Sequence, residues 1–246
     1  MRAGVDPVCR TGTAPKMRMD NAASLSHATY MRLARFVAML LMLILAPAWT
    51  LNYWQGWLFW GVFSSGISLI TIYFLRRDPA LIERRSRAGP AAEKELSQKI
   101  IQSFSVILFA ALIILPGISY RHGWSQLPAF FVLSGDSIVV LGLYIIFLVF
   151  RANTYASATI ELAPNQRVIN TGPYRLVRHP MYSGGLLMLL AIPLALGSGW
   201  ALLLLPPLAA VIIWRLIDEE KYLITNLAGY NDYCAAIPWR LIPGIF

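Results

Sequence analysis

Residues 183–214 read S-G-G-L-L-M-L-L-A-I-P-L-A-L-G-S-G-W-A-L-L-L-L-P-P-L-A-A-V-I-I-W, with no charged residue among them. As one helix this stretch would be about 48 Å long, too long for a comfortable crossing of a hydrocarbon layer about 30 Å thick. It is interrupted at Gly197-Ser198-Gly199, where permissive backbone allows a tight reversal. Each arm reaches crossing length if the first begins near Tyr182 and the second continues through Arg215. Pro193 and Pro206-Pro207 kink the arms, which membrane helices tolerate when neighbours satisfy the freed carbonyls. The stretch predicts a helical hairpin over 183–217 that returns the chain to the side of the membrane it left.

The rest of the 246-residue chain agrees. Apolar residues make up 57% and charged residues 13%, about half the roughly 25% charged content of a soluble domain. Such a composition excludes a soluble globular, disordered, collagen-like or disulfide-rich chain, and the two cysteines, Cys9 and Cys234, have no metal-ligand spacing. Four further apolar runs lie at 36–50, 54–75, 104–120 and 127–150. With the hairpin they predict an all-α polytopic membrane helix bundle of about six crossings. The charge pattern supports this count. With a cytosolic N-terminus, 20 of the 21 Lys and Arg fall in cytosolic segments and Arg121 alone lies outside, as positive-inside insertion requires. A net charge of +9 is therefore a topology signal, and no nucleic-acid partner is expected. The expected organisation is a polar, disordered tail over 1–32, four transmembrane helices over 33–150 with a basic cytosolic loop at 76–100, and a catalytic region over 151–246 ending in a cytosolic helix. Both termini are expected in the cytosol and the protein in the bacterial inner membrane.

Polar residues collect after the fourth crossing and after the hairpin. One cluster is Asn153-Thr-Tyr-Ala-Ser followed by Gln166 to Tyr182, and the other is Arg215 to Leu223, followed by Tyr230 and Tyr233. The hairpin lets Arg178-His179 and Glu219-Glu220 meet, and Arg215 and Glu219 share a helix face at a spacing of four. Such a group suits a ligand that is part cation and part nucleoside. Carboxylates hold hydroxyls or a cation, arginines hold an anion, and Tyr174 and Tyr182 offer flat faces to an adenine or a sulfonium. Each member has a simpler reading: Arg178 as an interfacial anchor, His179 as a structural ring, the Glu pair as a solvated face, the tyrosines as interfacial aromatics. The combination is what marks a site. His27 and His122 lie far from His179 in the topology, so no metal set forms. Asp136, the sole acid within a crossing, is expected at the interface or paired with Arg121.

The stretch G-P-Y-R-L-V-R-H-P-M-Y (Gly172 to Tyr182), the apolar hairpin and E-E-K-Y-L (Glu219 to Leu223) together resemble the isoprenylcysteine carboxyl methyltransferase family, which shares its core with phospholipid methyltransferases. The resemblance covers roughly residues 153–243, and the loop from Arg76 to Arg87 is similar to the basic loop of bacterial members. It implies an integral membrane enzyme using S-adenosylmethionine in a cytosolic pocket. Cofactor contacts are then expected from Gln166, Arg167, Val168 and Ile169, from Tyr174, from His179, Pro180, Met181 and Tyr182, and from Glu219 and Glu220. Eukaryotic members have His where this chain has Gln166. Arg215, with Arg178, is expected to hold an anionic acceptor.

A sulfonium methyl is already activated, so such an enzyme has chiefly to align the acceptor and exclude water. A carboxylate acceptor is ionised at neutral pH and needs no general base, whereas an amine must first be unprotonated. The expected partners are membrane lipids and a lipophilic or lipidated substrate entering sideways from the bilayer, most simply a carboxylate. A phospholipid amine acceptor is the alternative within the same fold. Membrane sterol reductases, which use NADPH, have a similar C-terminal arrangement, but Arg-His-Pro-Met-Tyr followed by Glu-Glu fits the methyltransferases better. A membrane scaffold or transporter would place polar residues along a pathway through the crossings, and Asp136 alone is found there.

Overall fold

The computed structural model describes residues 14–246 except Arg87 and Lys94, with side chains from Ser24 onward. Among the described residues the chain is all helix and loop. Five helices are long and apolar enough to cross a membrane: Ser24–Ala48, Trp54–Arg77, Leu96–His122, Ala129–Ala152 and Trp200–Asn226. The protein is an integral membrane helix bundle. We number the helices α1 (Ala14–Ala48), α2 (Trp54–Arg77), α3 (Pro79–Ser86), α4 (Leu96–His122), α5 (Ala129–Ala152), α6 (Pro180–Ala195), α7 (Leu205–Asn226) and α8 (Tyr230–Ala236). With 16 residues, α6 is about 24 Å long, shorter than the other apolar helices.

The first helix corrects one expectation. The tail over 1–32 was expected to be disordered, yet α1 already begins at Ala14; residues 1–13 lie outside the described residues. Ala, Met, Leu and Arg in this stretch are good helix formers. Leu25 packs against the cluster of Phe74, Leu81 and Phe150, and Thr29 is buried, so this part of the helix has a tertiary anchor.

Helix α5 packs most intimately against α6, and glycine is the reason. A Cβ at Gly135 would lie 2.4 Å from the backbone nitrogen of Ala195, and one at Gly142 would lie 2.9 Å from the Gly184 carbonyl oxygen. Small residues allow such backbone approach where lipid offers no hydrophobic force to drive helices together. The main apolar core forms around Leu40, Ile44, Phe59, Leu112, Ile113, Val139, Ile192 and Leu208, with α1, α2, α4, α5, α6 and α7 all contributing.

Between α6 and α7 the backbone passes through Gly197, at φ +70°. This end of the bundle is tied by backbone groups. The Tyr53 hydroxyl donates to the Leu196 carbonyl at 2.6 Å, the Leu127 N–H to Gly197 O at 3.1 Å, and the Gly199 N–H to Ser125 Oγ at 3.0 Å. Asp136 does not pair with Arg121. It is buried with no hydrogen-bond partner on either carboxylate oxygen among the described residues, and Arg121 lies 5.4 Å over the Trp49 ring. The close approach at Gly135 draws the adjoining residue inward.

The opposite end gathers the end of α2, α3, the start of α4, the end of α5, the start of α6, the end of α7, and α8. Here the polar clusters meet. Because α5 and α6 set the frame for this end, Gly135→Val should lower the thermal unfolding midpoint of the detergent-solubilised protein by a clear margin, as overpacking costs about 1–3 kcal/mol. Gly61→Ala, where an added Cβ meets nothing within 4 Å, should leave the midpoint unchanged. Tryptophan fluorescence melts of the two variants check this.

Candidate functional site

Between α5 and α6 runs a strap without regular secondary structure for most of its length, residues 153–171. Its backbone is held from three directions. Arg84 donates to the Thr154 carbonyl at 2.5 Å, Arg85 to the Ser157 carbonyl at 3.1 Å, and Arg215 to the Ala158 carbonyl at 2.8 Å. The Ile160 N–H reaches Glu93 Oε2 at 3.4 Å. A short 3-10 turn, Gly172–Arg175, follows, with Gly172 at φ +57°. Pro180 then opens α6, where its missing N–H costs nothing because the first helical turn leaves it unpaired anyway.

Beneath the strap lies a cleft of about 330 Å³, at the lower end of the roughly 300–1,000 Å³ typical of ligand pockets. Of the residues singled out in the sequence, Gln166, Arg167, Val168, Ile169, Tyr174, Arg178, His179, Met181, Tyr182, Arg215 and Glu219 line it. Pro180 and Glu220 do not. Tyr182 donates its hydroxyl proton to Glu219 Oε2 at 2.5 Å, a bond that joins the start of α6 to the end of α7.

Glu219 and Glu220 have different surroundings because successive residues of a helix point about 100° apart. Glu219 faces the cleft. Glu220 is buried on the other side, with Arg178 Nε at 3.0 Å, Arg240 Nε at 2.7 Å and His179 Nε2 at 3.6 Å. Glu220, expected as a cofactor contact, thus sits in an internal ion-pair cluster. The same cluster occupies Arg178, and two backbone bonds fasten its segment: Arg178 N–H to Trp239 O at 2.9 Å and His179 N–H to Arg240 O at 3.0 Å.

Arg215 is likewise engaged. Its guanidinium reaches Glu93 Oε1 at 2.8 Å, Gln98 Oε1 at 2.9 Å and the Ala158 carbonyl, while Gln98 also donates to Asp218 at 3.0 Å. Arg178 and Arg215, expected as anion holders, both border the cleft, and each has its charge met within the protein. Gln166 turns its side-chain oxygen back to accept the Ala163 N–H at 2.9 Å, leaving its backbone at the wall.

Burial keeps three tyrosines of the lining neutral. Burial pushes the Tyr174 hydroxyl up to about 12, even though Asn153 donates to it at 2.9 Å. Burial also pushes the Tyr230 and Tyr233 hydroxyls up. Tyr233 donates to the Tyr174 carbonyl at 2.7 Å, which fastens α8 to the turn. The sequence reading missed Arg85, Glu93 and Gln102. Arg85 and Gln102 border the cleft, and Glu93 pins Arg215. Arg85 was assigned to a positive-inside loop; Glu93, an acid within that basic loop, was the signal that a partner cation had to be near.

Residues 130–228 match the family model described as phospholipid methyltransferase. The match covers less than half of the chain and supports methyltransferase chemistry in general. It includes α5, the strap, α6 and all of α7, but not Arg85, Glu93 or α8. A second similarity is to the Delta(14)-sterol reductase TM7SF2 of Mus musculus, 32% identical over 94 residues, which are 36% of this chain and 22% of that protein. The alignment thus spans about a fifth of the relative's length.

The Glu220 cluster makes a distinct prediction. Glu220→Gln leaves Arg178 and Arg240 facing each other without their carboxylate, and breaking a buried pair from one side typically costs about 3–5 kcal/mol. The variant should therefore melt well below the parent in detergent. Glu219→Gln, which removes a charge from the cleft lining, should melt close to the parent.

Proposed function

We propose that the protein is an S-adenosylmethionine-dependent methyltransferase acting on a lipophilic acceptor, most simply a carboxylate, and carrying its pocket on the cytosolic side of a six-crossing bundle. The reading is supported above all by Glu219, a carboxylate turned into an aromatic cleft and accepting a hydrogen bond from the Tyr182 hydroxyl. An anion beside the flat faces of Tyr174, Tyr182, Tyr222 and Tyr230 suits a ligand that carries both a positive charge and an adenine.

The residues present fit that cofactor. When bound, S-adenosylmethionine supplies a methyl group already activated on a sulfonium. Glu219 would hold the cationic or hydroxyl-bearing part, the backbone of 166–169 the adenine edge, and Tyr174 and Tyr182 the ring faces. His179 lines the same wall, while Pro180 and Met181 set the direction in which α6 leaves it. The strap, fixed by Arg84, Arg85 and Arg215, excludes water, which raises the strength of every charge interaction inside. A carboxylate acceptor is ionised at neutral pH, and accordingly the cleft needs no base. A phospholipid amine is the second acceptor class, consistent with the matched family.

A reductase reading is favoured by one observation, the similarity to a sterol reductase. NADPH, however, is strongly anionic and would need several uncommitted cations. Of the four arginines that border the cleft, Arg178 and Arg215 are already paired with carboxylates, which leaves Arg85 and Arg167, and Glu219 adds a negative charge to the wall.

Isothermal titration of the detergent-solubilised protein with S-adenosylhomocysteine and with NADPH separates the readings. We expect binding of the first and not the second; the reverse result overturns the proposal. Glu219→Gln should weaken S-adenosylhomocysteine at least about tenfold, since a charge-assisted hydrogen bond contributes about 1.5–3 kcal/mol. Incubation with methyl-labelled donor and N-acetyl-S-farnesylcysteine should yield a base-labile ester label if the acceptor is a carboxylate.

A further inference from the structure

Arg85 ends α3 in the basic loop, where an arginine ordinarily reaches out to lipid headgroups. Here it turns inward and borders the cleft. Its guanidinium lies 4.7 Å over the Phe150 ring, and Nη1 donates to the Ser157 carbonyl at 3.1 Å and approaches Met181 Sδ at 3.5 Å. Among the described residues no carboxylate pairs with it. That sets it apart from its neighbours, since Arg178, Arg215 and Arg240 each have a carboxylate oxygen within 3.0 Å. A guanidinium carries five N–H donors in a planar fork, and the contacts of Arg85 use one nitrogen. Burial pushes its pKa down, so its surroundings penalise the charge without balancing it.

Besides Arg178 and Arg215, which are paired, and Glu161 and Arg167 of the strap, the cleft is lined by two charged groups, Glu219 and Arg85. Tyr174 lies close enough to both to feel each charge. Bidentate capture by arginine is the usual way a planar carboxylate is held.

We infer that Arg85 holds the carboxylate of a ligand bound in this cleft, a role carried by α3 and therefore outside the segment shared with the phospholipid methyltransferase family. The inference rests on the methyl-transfer reading and deepens it. Two sources offer that carboxylate: the amino-acid part of the methyl donor and the lipophilic acceptor.

The experiment uses the full-length protein in detergent and compares it with Arg85→Gln. Affinities are measured for S-adenosylhomocysteine and for 5′-methylthioadenosine, which lacks the amino-acid part, and KM is measured for N-acetyl-S-farnesylcysteine. If the donor supplies the carboxylate, S-adenosylhomocysteine weakens at least about tenfold while methylthioadenosine is unchanged. If the acceptor supplies it, both nucleosides bind as before and KM rises at least about tenfold. Arg85→Lys, which retains a point charge, should recover part of either loss.

Parallel weakening of both nucleosides, or no change beyond twofold in any value, overturns the inference. The first result would mean that Arg85 only anchors the strap through Ser157. A ligand-side comparison needs no variant: the parent protein should bind the carboxamide of S-adenosylhomocysteine, or of N-acetyl-S-farnesylcysteine, more weakly than the acid. Equal binding of acid and amide for both compounds also overturns it. Failure of the parent to bind S-adenosylhomocysteine at all would instead remove the methyl-transfer reading beneath it.

Discussion

A buried carboxylate needs its charge met, and Glu220 meets that need with Arg178 Nε at 3.0 Å and Arg240 Nε at 2.7 Å. Three separate pieces of chain are thereby drawn together: the end of α7, the turn that opens α6, and the C-terminal segment. Backbone bonds from Arg178 and His179 to residues 239 and 240 extend the same junction. Helical geometry then decides the rest locally. With Glu220 committed inward to the cluster, the preceding Glu219 faces a different direction, toward the cleft and Tyr182. One residue of the pair thus organises the wall, and the other is presented to whatever enters.

A second pairing does similar work across the cleft. Arg215 joins α7 to Glu93 on the loop before α4 and to the Ala158 carbonyl of the strap. An irregular strap carries many backbone polar groups that need partners, and the guanidiniums of Arg84, Arg85 and Arg215 satisfy several of them. The strap is consequently a wall of the cleft. It is placed by the close α5–α6 packing at Gly135, Gly142 and Gly184, because the end of α5 and the start of α6 are the strap's two anchors.

The resulting distribution of charge bears on function more than the number of charged residues does. Two of the four arginines along the cleft, Arg178 and Arg215, are neutralised inside the protein. What remains along the cleft is Glu219 on α7, Arg85 on α3, Glu161 and Arg167 on the strap, and a set of tyrosines. That pattern suits a ligand of mixed charge with a flat ring system better than a polyanionic dinucleotide.

Much of this was legible in the residues alone. Long uncharged runs require a lipid environment because no aqueous protein of this size can cover them, and an interruption by Gly-Ser-Gly marks where backbone can reverse. Proximity of the two polar clusters followed from those facts. Residues 14–32 were expected to be disordered from their polarity, whereas the tertiary contact of Leu25 is one that only the folded bundle supplies. Sequence spacing also could not divide Glu219 from Glu220, or show that Arg178 and Arg215 are already paired, since a side chain's free charge depends on partners remote in the chain. For the same reason Arg85 read as one cation among several in a basic loop. Hydrophobicity is a property each residue carries with it, so the membrane bundle could be read directly; electrostatic availability is a property of neighbours, and tertiary packing alone assigned it.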